Sequence, residues 1–173
     1  RVEGHKENTS SYAIDLMSEG NARVRLARLG VDSENNLKGA IVLYDRARNE
    51  GLTKNTTYYA NTFTNEGLAL LSLAEIGVES VDNAQKAIVL CEKARNEGLI
   101  SKTQFYATSL INEGVARRIL AALGVEPVEN LREAIVLYGR AREEGLIKNT
   151  PDYAKTLGNE GITKVDLARL GVD

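Results

Sequence analysis

The sequence predicts an all-α protein, an α-solenoid of antiparallel helix pairs with seven helices in the order A-B-A-B-A-B-A. Two repeated phrases predict this. Glu-Gly recurs every 47 residues, at Glu19-Gly20, Glu66-Gly67, Glu113-Gly114 and Glu160-Gly161. Ala-Ile-Val-Leu recurs with the same step, starting at residues 40, 87 and 134. A fixed period of this size is typical of a solenoid, in which each unit buries its apolar face by stacking on its neighbours.

Helix A of each unit should open at a threonine and stop at a glycine. A threonine hydroxyl accepts free N–H groups of the first helical turn, and Pro151 after Thr150 suits the first helical position. The expected N-caps are Thr9, Thr56, Thr103 and Thr150. We expect helix A to run to Leu29, Ile76, Leu123 and Leu170. Each of these is followed by Gly-Val, which is the Schellman pattern of a helix end.

Helix B should begin near Ser33, Ser80 and Pro127 and end before Gly51, Gly98 and Gly145. An asparagine recurs near each start, at Asn36, Asn83 and Asn130, and we expect its side chain to satisfy the turn. The predicted units are about residues 5–51, 52–98 and 99–145, with a partial unit at 146–173.

The chain begins and ends within a repeat. Arg1-Val2-Glu3-Gly4 matches the segment from Arg48 to Gly51, and the last four residues match the segment from Leu29 to Asp32. We interpret the chain as a piece of a longer array. The last helix should lose cover over Leu157, Gly161 and Leu167, and the two complementary ends predict possible end-to-end self-association.

Comparison of the four copies separates two stripes of helix A. One stripe barely changes between the copies and should pack against other helices. It carries the repeated glycine, which should lie at the close crossing of helices A and B. A valine at Gly67 or Gly114 should therefore damage folding. This stripe contains Tyr12, Leu16, Gly20 and Leu26 and their equivalents. The other stripe varies freely, so packing should not dictate it. It contains Ile14, Met17, Asn21 and Arg25 and their equivalents.

Composition excludes several classes of protein. Lys and Arg number 22 against 24 Asp and Glu, a net charge of −2, so there is no basic excess of the kind that grips phosphate backbones. We therefore do not expect nucleic acid as a partner. No apolar run approaches the roughly 20 residues of a membrane span, so no membrane contact is expected. The single cysteine, Cys91, suits a reducing compartment, and we expect a cytoplasmic protein.

The residues offer little to an enzyme. His5 is the one histidine, no metal-ligand cluster or phosphate-binding glycine motif is found, and Cys91 replaces a core tyrosine. We therefore expect no enzymatic activity, no catalytic residues, no metal and no cofactor. The glutamates of the Glu-Gly pairs form a ladder at steps of roughly 10 Å, which is wide for paired catalysis. The recurrent Arg48, Arg95 and Arg142 favour a structural ion pair in each unit.

Helix B carries small residues around an aromatic one, as in Ala40-Tyr44-Ala47 and Ala134-Tyr138-Ala141, with Cys91 between Ala87 and Ala94 in the second copy. This pattern resembles the tetratricopeptide repeat (TPR), and the resemblance covers the whole chain. The period of 47 exceeds the family's usual period of about 34 residues. The resemblance implies a right-handed superhelix and a non-enzymatic scaffold that binds a protein or peptide in a groove lined by the A helices.

The position two residues before the glycine corresponds to the family's groove asparagine, which clamps peptide backbone. An amide suits that role because it both donates and accepts hydrogen bonds, although an asparagine bonded to its own neighbours is an equal alternative. The candidate groove residues are Ser18, Asn65, Asn112, Asn159, Asn21, Leu68, Val115, Ile162, Asn61 and Thr108.

Two alternatives stay open. The segment from Ala40 to Ala60 also resembles the pentatricopeptide repeat, which binds single-stranded RNA. Its two base-reading positions would fall on Ala13, Ala60, Ala107 and Ala154, which cannot hydrogen-bond a base, and on Asn8, Asn55, Lys102 and Asn149, which can. The other alternative is a structural spacer or assembly arm of a larger multidomain protein.

Overall fold

The computed structural model describes residues 9–172, and within that range the chain forms seven α-helices and no strand. The residues from Arg1 to Asn8, with His5 among them, and Asp173 lie outside the described part. The helices are α1 Ser10–Arg28, α2 Ser33–Asn49, α3 Thr57–Glu75, α4 Ser80–Asn96, α5 Gln104–Ala122, α6 Pro127–Glu143 and α7 Pro151–Arg169. The odd-numbered helices are the predicted A helices, and the even-numbered ones are the B helices.

Consecutive helices pack against each other along the whole described chain, from α1 on α2 to α6 on α7. The A helices also meet directly, α1 with α3 and α3 with α5, whereas no contact of similar extent joins α2 to α4 or α4 to α6. The A helices therefore form the inner layer of the stack and the B helices the outer layer. This confirms the all-α solenoid of seven helices.

Local capping explains where the A helices begin. Thr9 Oγ1 accepts a hydrogen bond from the Tyr12 N–H at 3.2 Å. Equivalent bonds of 3.3 Å form at Thr56, Thr103 and Thr150. Each bond satisfies one of the free N–H groups at a helix start, so all four predicted N-caps are confirmed.

The first three A helices end in the predicted Schellman turn. All four A helices end one residue earlier than expected, because Leu29 and its equivalents are the C-caps. The Gly30 N–H donates to the Ala27 carbonyl at 2.9 Å, and the Val31 N–H donates to the Leu26 carbonyl at 3.1 Å. Gly30 takes a φ of 79°, which glycine tolerates without strain. The next turn is closed by Asn36 and its equivalents, whose Nδ2 atoms donate to the carbonyls of Val31, Val78 and Val125 at 2.8–2.9 Å.

The repeated glycine of helix A faces a tyrosine of helix B in two copies. A Cβ added at Gly20 would lie 2.7 Å from Tyr44 Cε1, and one added at Gly114 would lie 2.7 Å from Tyr138 Cε1. Both tyrosines are buried. Because real Cβ atoms do not approach so closely, the tight crossing is confirmed at these two positions.

The prediction of a tight helix crossing is wrong at Gly67. A Cβ there would meet Cys91 Sγ and the Ala87 carbonyl oxygen at 3.5 Å, which is ordinary van der Waals contact. Cys91 occupies the place of the tyrosine and is shorter, so the second unit has room for a methyl group. No atom lies within 4 Å of a Cβ placed on Gly161.

Burial corrects the two-stripe picture at several positions. Met17 and Thr64, assigned to the variable stripe, are 7% and 2% exposed and therefore pack. Leu26, assigned to the packed stripe, is 42% exposed. On α7 the expected loss of cover holds for Leu157 and Gly161, which are exposed, but not for Leu167, which packs in a cluster with Leu131 of α6.

Candidate functional site

The glutamates of the ladder form ion pairs between helices in the three copies where the arginine is described. Arg48 Nη2 of α2 lies 2.6 Å from Glu66 Oε2 of α3. Arg95 and Glu113 form the equivalent pair between α4 and α5, and Arg142 and Glu160 form it between α6 and α7. The recurrent arginine–glutamate pair therefore forms in these three copies, but it joins one unit to the next, whereas the prediction placed it in each unit. Glu19 pairs instead with Arg23 of its own helix at 2.8 Å, and Arg1, the residue 47 before Arg48, lies outside the described residues.

The arginine of each pair also finds a hydroxyl on the next A helix. Arg48 Nη1 donates to Thr62 Oγ1 at 3.2 Å, and Arg95 Nη1 donates to Ser109 Oγ at 2.8 Å. Ser109 in turn donates to the Cys91 carbonyl at 2.9 Å. Such additional bonds are what a buried ion pair needs in order to offset its desolvation cost.

The copies differ in the residue that stands one helical turn after the glutamate. Arg23, Arg117 and Lys164 hold that position in three copies and pair with their glutamates at 2.8, 3.3 and 2.6 Å. The second copy has Leu70 there. Glu66 therefore lacks a second cation, and burial raises its pKa above the ordinary 4.5 despite the opposing effect of Arg48. Burial acts in the same direction on Glu160, but hydrogen bonds from Lys164 and Arg142 outweigh it and lower the pKa of Glu160.

We expect Lys164→Met to raise the pKa of Glu160, because the substitution removes one of the two cations that stabilise its charged form. In the wild type, a lowered folded pKa means that Glu160 adds stability above its unfolded pKa near 4.5, and that this stability is lost as the pH falls. The raised pKa of Glu66 gives the opposite pH dependence: its contribution to folding stability is complete below pH 4.5 and is lost as the pH rises. Carbon-13 NMR titration of the side-chain carboxyls would measure both groups. Lys164→Arg is the control, and an unchanged Glu160 titration in Lys164→Met would contradict the assignment.

An open groove of about 560 Å³ lies along the A helices on the inner side of the stack. Its apolar wall comes from α3 and α5 and contains Leu68, Leu71, Ile111 and Val115. Arg28 of α1 stands at one end, and Lys155 and Asn159 of α7 stand at the other. The groove therefore spans all four A helices.

The groove contains four of the ten predicted binding residues, namely Leu68, Asn112, Val115 and Asn159. The other six do not line it: Ser18, Asn21, Asn61, Asn65, Thr108 and Ile162. Of these, Ile162 is 52% exposed on α7, while Thr108 donates to the Gln104 carbonyl of its own helix at 2.8 Å. The sequence identified part of the groove and also residues that do not line it.

The asparagine ladder is engaged within the protein. Asn65 Nδ2 donates to Asn21 Oδ1 at 3.3 Å, which links α3 to α1. Asn112 is 7% exposed, and its Nδ2 donates to the Thr64 carbonyl at 3.4 Å, which links α5 to α3. Ser18 donates to the Ile14 carbonyl at 2.9 Å. The Asn65 and Asn112 bonds tie neighbouring A helices together, whereas the Ser18 bond stays within α1. Asn159 is the ladder member on the groove wall of α7.

Sequence reasoning missed the charged residues of the groove. Arg28, Arg118 and Lys155 line it together with one acid, Glu75. A signal was present at Arg118, because the equivalent positions hold Val24, Leu71 and Val165 and only the third copy has a charge there. Arginine at an otherwise apolar position of a repeat is a departure that packing alone does not require.

Arg118 is weakly neutralised. Its Nη2 lies 4.0 Å from Asp166 Oδ2, and its buried Nε has no hydrogen-bond partner among the described residues. The Tyr138 hydroxyl is likewise buried and forms no hydrogen bond of good geometry, although Arg118 lies close enough to interact with it. In the first copy the equivalent Tyr44 donates to Asn21 at 2.8 Å, but the third copy has Val115 in place of Asn21. Burial raises the pKa of Tyr138 to about 12, against the opposing effect of the Arg118 charge.

A reactive thiol, a metal site and a membrane-spanning helix are also absent from the described residues. Burial raises the pKa of the Cys91 thiol to about 12, so it is a core group and not a nucleophile. No cluster of three potential metal ligands occurs between residues 9 and 172. In the same range, none of the helices has the length and apolar character required to cross a bilayer.

In three copies, a base could not reach the residue at the first base-reading position of the pentatricopeptide alternative. Ala13, Ala60 and Ala107 are fully buried between helices, so a base cannot reach them. At the second position, Asn55, Lys102 and Asn149 are exposed and take a left-handed backbone, while Asn8 lies outside the described residues.

Comparison of the chain with models of protein families, with curated proteins and with solved structures found no match. The class of the protein is therefore defined by its fold and its site: a helical repeat of stacked helix pairs with an open groove on its inner side.

Proposed function

We propose that the chain is a tetratricopeptide-like, non-enzymatic protein-interaction scaffold whose groove binds an extended peptide of a partner protein. The observation that supports this most is the groove itself. Its volume of about 560 Å³ falls in the range of ligand pockets, about 300–1,000 Å³. Its wall combines apolar side chains with a few polar ones, which is the usual composition of such sites.

The charges of the groove indicate the chemistry of the peptide. Three cations, Arg28, Arg118 and Lys155, face one acid, Glu75. A guanidinium with an unpartnered N–H favours a carboxylate, which it can bind through charge-assisted hydrogen bonds. We therefore expect a segment with an Asp or Glu at Arg118 and an apolar side chain beside it, against Ile111 and Val115. A lone buried thiol suits a reducing compartment, so we also propose that the protein works in the cytoplasm.

Selection of peptides from a random 12-residue displayed library tests this function. We expect the wild type to enrich acidic peptides, and Arg118→Leu to weaken the binding of a selected peptide about tenfold or more, since hydrogen bonds to charged groups contribute about 1.5–3 kcal/mol. Leucine is a fair replacement because Leu71 holds the equivalent position in the second copy. Arg132→Gln removes the same charge from an exposed site of α6 and copies Gln85, so it serves as the matched control.

Three results would contradict the proposal: no peptide enriched over an empty support, equal loss in Arg118→Leu and Arg132→Gln, or binding unaffected by Arg118→Leu. The RNA alternative predicts instead that labelled single-stranded oligonucleotides bind at low salt and are released as salt rises. The spacer alternative predicts that neither peptides nor oligonucleotides bind.

A further inference from the structure

A second cavity of about 520 Å³ lies on the outer side of the stack, between α2 and α4 and over α3. Its wall is largely aliphatic, from Ile41, Leu70, Val89 and Leu90. Two carboxylates, Glu66 and Asp82, line the same space. An aliphatic cavity with acids at its edge fits a ligand that has an apolar body and a positively charged head.

Comparison of the copies shows what this site lacks. Arg23, Arg117 and Lys164 place a cation against the ladder glutamate of their own helix. Leu70 holds that position in α3 and supplies none. The second copy therefore has a cavity wall and an incompletely neutralised glutamate where its relatives have a basic side chain.

The charged residues around Glu66 do not replace the second cation that the other copies have. Arg48 divides its guanidinium between Glu66 at 2.6 Å and Asp45 at 3.2 Å. Glu66 Oε2 is buried and accepts no hydrogen bond of good geometry. Lys86 also lines the cavity, but Arg48 and Lys93 are the cations that act on Glu66, and neither Lys86 nor Lys93 forms an ion pair with it. Glu66 thus shares Arg48 with Asp45, and Asp82 adds a second carboxylate to the cavity wall.

We propose that this cavity binds an alkylammonium group, the aliphatic chain against Ile41, Leu70 and Val89 and the ammonium at Glu66. The ligand takes the place of the basic side chain that the other three copies carry in their own sequence. A lysine side chain of a partner protein and a free aliphatic amine share this chemistry. The site lies on the outer layer, separate from the groove, and does not depend on peptide binding there.

Methyl NMR of the whole chain, with n-pentylammonium as the probe, tests the site. We expect shifts at Ile41, Leu70 and Val89, with binding at least tenfold tighter than that of pentan-1-ol, which has the same chain without the charge. Leu70→Lys places the missing cation in the chain and should reduce binding at least tenfold. Val136→Lys adds the same charge at an exposed position of α6 that does not line the cavity, and it should bind within about twofold of the wild type.

Two further arms complete the test. A lowered titration of the Glu66 carboxyl in the presence of n-pentylammonium supports the site in the unmodified protein. If Nα-acetyl-lysine methylamide binds as tightly as n-pentylammonium, the site is supported and its ligand is a lysine side chain of a polypeptide. If only n-pentylammonium binds, the site is supported and its ligand is a free amine. Equal binding of pentan-1-ol, no shift with either amine, or undiminished binding in Leu70→Lys overturns it.

Discussion

Replacing Glu113 by glutamine is expected to destabilise the protein by about 3–5 kcal/mol, the range for removing one partner of a buried ion pair. The Glu113 side chain is 4% exposed, lies against Arg95 of the preceding helix and is also 3.3 Å from Arg117. The substitution leaves two partly buried guanidinium groups with a neutral neighbour. Because Arg95 joins α4 to α5, the loss falls on the junction between two units. Urea unfolding followed by circular dichroism measures it.

Glu19 provides the matched control. It holds the same position in the first copy, but its side chain is 52% exposed and its ion pair among the described residues is with Arg23. Glu19→Gln should therefore cost less than about 1 kcal/mol, as is usual for exposed pairs. Equal losses in the two variants would show that burial and the inter-unit arginine do not decide the effect.

Gly114→Ala is expected to cost about 1–3 kcal/mol or more, the range for inserting a methyl group into a filled core. The new Cβ would lie 2.7 Å from Cε1 and 2.9 Å from Cζ of Tyr138. The Tyr138 ring is fully buried and cannot turn away into solvent. The helices α5 and α6 would have to separate to admit it. Thermal and urea unfolding give the change in free energy.

The chain contains its own controls for this substitution. Gly67→Ala should be much milder, because its Cβ would meet Cys91 Sγ at 3.5 Å, and Gly161→Ala meets nothing within 4 Å. Combining Gly114→Ala with Tyr138→Cys places the new methyl group opposite a cysteine, as Gly67→Ala does in the second copy. The double variant should lose less stability than the sum of the two single ones, a coupling that a double-mutant cycle measures. Strict additivity would mean that the tyrosine is not the obstacle.

The local features of the fold were predictable from the repeated sequence. Thr9 and its equivalents cap helices through bonds to residues three positions away, and Gly30 ends a helix through bonds within one turn. Such contacts depend on neighbours in the chain, so the same letters at the same spacing predict the same geometry. The Arg48–Glu66 pair was predictable for a different reason, since both residues recur with the 47-residue period.

Features that depend on facing residues were less predictable. Gly67 has the same surroundings in sequence as Gly114, yet the residue opposite decides that one is crowded and the other is not. Met17 and Thr64 vary between copies and are still buried, so variation alone did not identify the surface. The binding side chains were found only in part for the same reason. Arg118 lines the groove because α5 lies between α3 and α7, and this arrangement of helices cannot be predicted from the sequence of α5 alone.

Methyl NMR mapping of a peptide selected on the wild-type protein shows whether the inner groove is the binding surface. We expect chemical-shift changes at Leu68, Leu71, Ile111 and Val115, which line the groove. We expect none at Val42 and Val136, which are 58% and 55% exposed on the outer helices and provide an internal reference. Shifts confined to the outer valines, with the groove methyl groups unchanged, would contradict binding in the groove.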